Sequence, residues 1–107
     1  MTAHKYHAKP TEVDGVLFAS RLEARRYAEL KLLEQAGELR DLELQPRYPL
    51  RINGQLICTY VADFRYWDVQ QEREVVEDAK GVRTREFVLK KKLVKAVYGI
   101  DVEEVTA

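Results

Sequence analysis

The chain has 107 residues, 46% hydrophobic and 34% charged, with a formal net charge of zero. That is enough chain for one domain with one modest core, and the composition reads as a soluble globular protein rather than a disordered one. No apolar run is long enough for a transmembrane helix, and MTAHKYHAKP carries no apolar signal segment; the single cysteine, Cys58, cannot make an internal disulfide, so a reducing, cytoplasmic setting is expected.

Residues 1–12 lack periodicity and read as a flexible arm, followed by a turn at Asp14-Gly15. Ser20 opens a helix that runs to about Ala36 and is stopped by Gly37. On a helical wheel Phe18, Leu22, Ala28, Leu32, Leu33 and Ala36 share one arc, expected to face the core. Glu23 lies at the rim of that arc, and Arg26, three residues on, is placed to pair with it.

Three strand-like runs follow. Leu39 to Ile52 contains Pro46 and Pro49, which imply an edge, a bulge or a break. Asn53-Gly54 is a hairpin turn signal. Gln55 to Trp67, rich in β-branched and aromatic residues, reads as a central strand. After a polar turn at Asp68 to Gln71, Glu72 to Lys80 forms the third strand. Thr84 to Tyr98 predicts a second helix with Leu89, Leu93, Ala96 and Val97 toward the core, stopped by Gly99. Ile100 to Val105 is a short final strand. The expected fold is α/β or α+β: a small mixed sheet, with a three-stranded antiparallel meander, flanked by helices.

The chemistry concentrates on two strands. In Val76-Glu77-Asp78-Ala79-Lys80 the alternation of side chains puts Asp78 and Lys80 on one face and Glu77 on the other. A register change of one residue would exchange the two acids. Asp63 sits in the apolar segment Tyr60-Val61-Ala62-Asp63-Phe64, where a carboxylate has no local use. If the two strands are antiparallel neighbours, Asp63 and Asp78 converge on one cation. Mg²⁺ held by one or two carboxylates, and keeping several waters, suits phosphodiester hydrolysis. A lysine beside a metal ligand places an ammonium against the same phosphate, and removing such a donor costs about 3 kcal/mol in the barrier.

Asp63 and the Asp78-Ala79-Lys80 triplet a strand later, with the order helix, meander, helix, resemble the PD-(D/E)XK nuclease superfamily. More narrowly, the chain resembles a group of small phage-encoded proteins placed in that superfamily, similar to Holliday-junction resolvases. The matching residues are Lys5-Tyr6-His7, Asp14-Gly15, Phe18-Ala19-Ser20-Arg21-Leu22-Glu23, Leu44-Gln45-Pro46, Tyr60-Val61-Ala62-Asp63-Phe64, Glu77-Asp78-Ala79-Lys80-Gly81 and Lys90 to Lys92. The resemblance implies a restriction-endonuclease-like core and a Mg²⁺- or Mn²⁺-dependent DNA endonuclease. Asp63 and Asp78 would be metal ligands, Lys80 the catalytic lysine, Glu23 an acidic ligand from the first helix, and Gln45 a strand glutamine near the site. The family often has a proline before its first aspartate; Ala62 stands there.

Each residue also has a plainer role. Ser20-x-x-Glu23 is a capping box, in which Glu23 would bond back to the Ser20 amide. Asp63 could end a strand, and Asp78 with Lys80 could form a solvated face. Lys91 and Lys95 share a helical face, and with Arg85 they are candidate phosphate contacts or simply a solvated surface. Zero net charge argues against nucleic-acid binding, but the positives cluster between Arg83 and Gly99 and the acids lie mostly elsewhere. His4 and His7 form an HxxH without further ligands, so no zinc site is expected. Cys58 reads as a small core residue. Tyr66 and Trp67 are core, interface or base-stacking residues. A domain this small would need a second copy to span a duplex, so a homodimer on duplex or branched DNA is expected. The alternative is a non-catalytic DNA-binding or phage assembly module on a nuclease scaffold.

Overall fold

A computed structural model describes residues 10–106. Two helices and three small sheets form a mixed α+β fold among these residues. Strands β1 (Thr11–Val13) and β2 (Val16–Phe18) pair through a tight turn at Asp14 and Gly15, both at positive φ. Of the expected flexible arm, residues 1–9 lie outside the described residues, while Thr11 and Glu12 belong to β1.

Helix α1 (Arg21–Gln35) is built of good helix formers and starts where expected. Ser20 Oγ accepts the Glu23 amide at 3.1 Å and caps it. Its buried row is Glu23, Ala24, Tyr27 and Leu30, not the leucine-rich arc. Leu32 and Leu33 are exposed, as is Ala36, and Leu22 and Ala28 are half-buried. The reason is what the helix docks on: Tyr27 and Leu30 fill a cluster with Phe18, Leu39, Phe64, Tyr66 and Val75.

The central sheet has the order β3-β6-β7-β8, from β3 (Leu39–Leu44), β6 (Phe64–Asp68), β7 (Arg73–Ala79) and β8 (Glu103–Val105). The first three are antiparallel and β8 joins β7 in parallel, so the sheet is mixed. The run expected as one strand from Leu39 to Ile52 breaks at Gln45-Pro46, and the run from Gln55 to Trp67 breaks at Ala62-Asp63. Between the breaks β4 (Arg47–Ile52) and β5 (Gln55–Val61) form a separate hairpin, turned by Asn53-Gly54.

The two breaks lie side by side. Gln45 N–H donates to the Asp63 carbonyl at 2.9 Å, and Ala62 N–H to the Pro46 carbonyl at 3.1 Å. Pro46 has no N–H to extend a ladder, and Gln45 takes φ 53°, so the chain leaves the sheet here on both strands.

Helix α2 (Arg85–Tyr98) is capped by Thr84 and ended by Gly99 at φ 73°. It packs with the hairpin on the other face of the sheet, where Tyr48, Leu50, Tyr60, Ala62, Val76, Phe87, Val94 and Val102 form a second cluster. Leu93 is half-buried, but Leu89, Ala96 and Val97 are exposed, contrary to expectation. Phe87 and Val94, seven residues apart on one stripe, carry the contact instead. Among the described residues no helix is long and apolar enough to cross a membrane.

Candidate functional site

The corner where the hairpin leaves the sheet collects the predicted residues. Asp63 stands between β5 and β6, not within a strand. Its amide donates to the Glu77 carbonyl at 3.1 Å, and its Oδ2 accepts the Ala79 amide at 2.7 Å. Phe64 lies opposite Glu77, which makes Asp63 the residue at the end of the ladder beside Asp78. Burial pushes the Asp63 carboxyl above its ordinary range, partly offset by the Ala79 amide and the Lys80 charge.

Asp78 is almost fully buried and accepts a hydrogen bond from the Tyr60 hydroxyl. Lys80 Nζ lies 3.7 Å from Asp78 Oδ2. Burial lifts the Asp78 carboxyl to about 6 against the pull of Lys80 and of the Asp63 amide. Lys80 itself is held by its amide, which donates to the Val105 carbonyl at 2.8 Å, and by its ammonium, 4.3 Å from the centre of the Phe87 ring.

Glu23 comes from the opposite side of the sheet, on α1. It is buried, and Oε1 accepts the Ala19 amide at 3.3 Å, one residue before the bond a capping box requires. Its carboxyl lies close enough to that of Asp63 for the two to interact electrostatically. Burial first, then the Asp63 charge, lift it to about 7, with a smaller contribution from Asp78. Glu23 therefore serves both the helix start and the acidic corner.

Glu77 points away from this group. Arg26 binds it twice, Nε to Oε1 at 2.8 Å and NH2 to Oε2 at 2.7 Å, and the Tyr66 hydroxyl donates to it as well. Arg26 thus pairs across to β7 and with Glu29 on its own helix, not with Glu23 as expected. The geometry also separates the doublet: Asp78 faces Tyr60 and Lys80, and Glu77 faces Arg26.

The remaining predicted residues are less central. Gln45 reaches the corner through its backbone, and its side chain is exposed. Lys91 is bound to Glu104 and Lys95 to Asp101, each at 2.7 Å, while Arg85 is exposed. Tyr66 is buried; Trp67 is half-buried with the Arg40 guanidinium over its ring. Cys58 is half-buried against the second cluster. His4 and His7 lie outside the described residues.

Glu104 was not singled out from sequence. It lies in parallel register with Asp78, accepts Arg83 and Lys91 at 2.7 Å each, and its charge raises the Asp78 carboxyl. A strand of three residues carries too little pattern to reveal its partner's register.

Among the described residues, no three carboxylate, histidine or cysteine groups stand together as a preformed metal cage. The donor set is nonetheless one of hard oxygens, and Glu23 and Asp63 both hold a proton more tightly than ordinary carboxylates. Such a pair suits either a proton or a divalent cation.

The chain matches none of the curated proteins. Residues 3–105 match the family described as Protein of unknown function (DUF1064), and the chain belongs to that family.

Proposed function

We propose that this chain is a Mg²⁺- or Mn²⁺-dependent DNA endonuclease of the PD-(D/E)XK type, with a restriction-endonuclease-like core. The observation that carries the reading is the gathering of Glu23 and Asp78, both buried, with Asp63, which is anchored on the Ala79 amide, and Lys80 Nζ 3.7 Å from Asp78 Oδ2. Carboxylates from separate elements gathered out of water are costly to a fold, and such clusters mark sites of function.

Asp63, Asp78 and Glu23 would hold the cation. When bound, it supplies charge stabilisation and an acidified water for attack on phosphorus. Lys80 sets an ammonium beside the phosphate oxygens, where negative charge grows during hydrolysis. Tyr60 fixes the rotamer of Asp78, and the Ala79 amide fixes Asp63, so the ligands are aimed by the strand itself. Gln45 would act near the corner from the break in β3-β4. The substrate is duplex or branched DNA, cut by a homodimer during phage DNA processing or recombination.

A second reading, a DNA-binding or assembly module without catalysis, is favoured by the lack of a preformed cage among the described residues. Mn²⁺ titration followed by electron spin resonance separates the two. The nuclease binds Mn²⁺, and Asp63→Ala or Asp78→Ala abolishes that binding. DNA binding that is equal in Mn²⁺ and in EDTA, with no Mn²⁺ bound to the protein, would overturn the nuclease.

A further inference from the structure

A groove of about 280 Å³ lies beside the carboxylate corner at the start of α2, between Tyr60 and Lys80 on one side and Thr84, Glu86, Phe87 and Lys90 on the other. It shares Tyr60 and Lys80 with the corner, the two side chains that contact Asp78. Its walls combine the rings of Tyr60 and Phe87, the hydroxyls of Thr59 and Thr84, the ammonium groups of Lys80 and Lys90, and the Glu86 carboxylate.

The cations of this region are held in different ways. Arg83 and Lys91 are both tied to Glu104, and Lys95 to Asp101. Those acids belong to the C-terminal segment, so the pairs join α2 and its approach to other parts of the fold. Among the described residues Lys90 is paired within its own helix alone, with Glu86 at 2.8 Å, and the Glu86 side chain is 73% exposed while that of Lys90 is 26% exposed. An ion pair with so exposed an acid contributes little and is easily exchanged. Lys90 is therefore a largely covered cation, beside the corner, whose present partner can swing into water.

We propose that this groove seats a DNA phosphate adjoining the one at the carboxylates, with Lys90 as its contact and Glu86 as the group it displaces. The identity of the polymer rests on the nuclease reading. The groove differs from the cleft of about 330 Å³ that holds Arg83, Lys91, Lys92 and Lys95. It moves the expected contact from Lys91 and Lys95 to Lys90.

The test is binding of labelled single-stranded and duplex oligonucleotides by the full chain, followed by fluorescence anisotropy in EDTA across a salt series. Lys90→Gln is expected to weaken binding about three- to tenfold and to lower the log–log salt slope by about one. Glu86→Gln is expected to tighten binding by a similar factor, which a merely structural role for the pair would not do. Lys31→Gln, on α1, should leave binding unchanged. The proposal is overturned if wild type fails to bind, if Lys90→Gln binds like wild type, or if Lys95→Gln carries the loss instead. Loss of metal-dependent cutting with the Lys90 effect intact would refute the nuclease alone. Cutting without a Lys90 effect would refute the groove alone.

Discussion

The Asp63 carboxylate accepts a 2.7 Å hydrogen bond from the amide of Ala79, the residue between Asp78 and Lys80. This bond ties the start of β6 to the end of β7 at the point where the hairpin leaves the sheet. It fixes the register on which the whole corner depends. With it in place, Asp78 and Lys80 face Tyr60 and α2, and Glu77 faces Arg26 and α1.

The Glu77 side of that register carries a stability prediction. Glu77 is buried and held by Arg26 and Tyr66. Arg26→Ala leaves that carboxylate without its counter-charge and should destabilise the fold by about 3 kcal/mol in urea unfolding. Arg26→Ala combined with Glu77→Gln should recover much of the loss, because no buried charge is then stranded. If the double variant is no better than Arg26→Ala, the ion pair is not what holds β7 to α1.

Titration of the corner gives a second expectation. Glu23 ionises near 4.5 ordinarily and near 7 in the fold, and Asp78 moves from 3.8 to about 6. Below these ordinary values both states of the chain are protonated, and the groups contribute nothing. Between about 4 and 7 the folded chain holds the extra protons, so stability from these groups falls as pH rises through that window. In EDTA, Tm should drop by roughly 5 °C or more between pH 5 and pH 8, since each kcal/mol moves Tm by about 4–8 °C at this size. Glu23→Gln should flatten the fall, and Mn²⁺ at pH 8 should restore Tm. A profile identical in wild type and Glu23→Gln would show that Glu23 holds no extra proton in the fold.

Tyr60 offers a third. Its hydroxyl bonds the buried Asp78 carboxylate from the hairpin side. Tyr60→Phe keeps the ring packing against Phe87 and Tyr48 and removes only that donor. The expected cost is about 2 kcal/mol of stability, as for a hydrogen bond to a charged group. Mn²⁺ affinity should fall on the order of tenfold, as for loss of a group that orients a ligand. Stability lost with Mn²⁺ affinity unchanged would make Tyr60 a structural residue only.

Much of this was legible in the sequence because it rests on local rules. Ser20 and Thr84 as caps, Gly37 and Gly99 as stops, Asn53-Gly54 as a hairpin and the alternation that sets Asp78 with Lys80 are short-range signals. The helix faces were not legible. Counting leucines on α1 chose the arc with Leu32 and Leu33, whereas the docked face includes Glu23, a carboxylate that apolar patterning rejects. Helical spacing likewise misassigned Arg26 to Glu23, because its partner Glu77 lies on another element. Pro46 signalled a break, but only the paired break at Ala62-Asp63 turns that signal into a hairpin that departs from the sheet. Glu104 depends on parallel pairing between β7 and β8, a non-local fact that three residues cannot encode.

The most direct measurement is cleavage of labelled four-way-junction, flap, linear duplex and single-stranded DNA in Mg²⁺, Mn²⁺ or EDTA. Wild type would be compared with Asp78→Ala and Lys80→Ala. The expected result is cutting by wild type that needs the divalent cation. Asp78→Ala should abolish it, and Lys80→Ala should slow it on the order of a hundredfold or more while Mn²⁺ still binds. Intact DNA in every lane, from folded wild-type protein that binds the same DNA with or without metal, would contradict it.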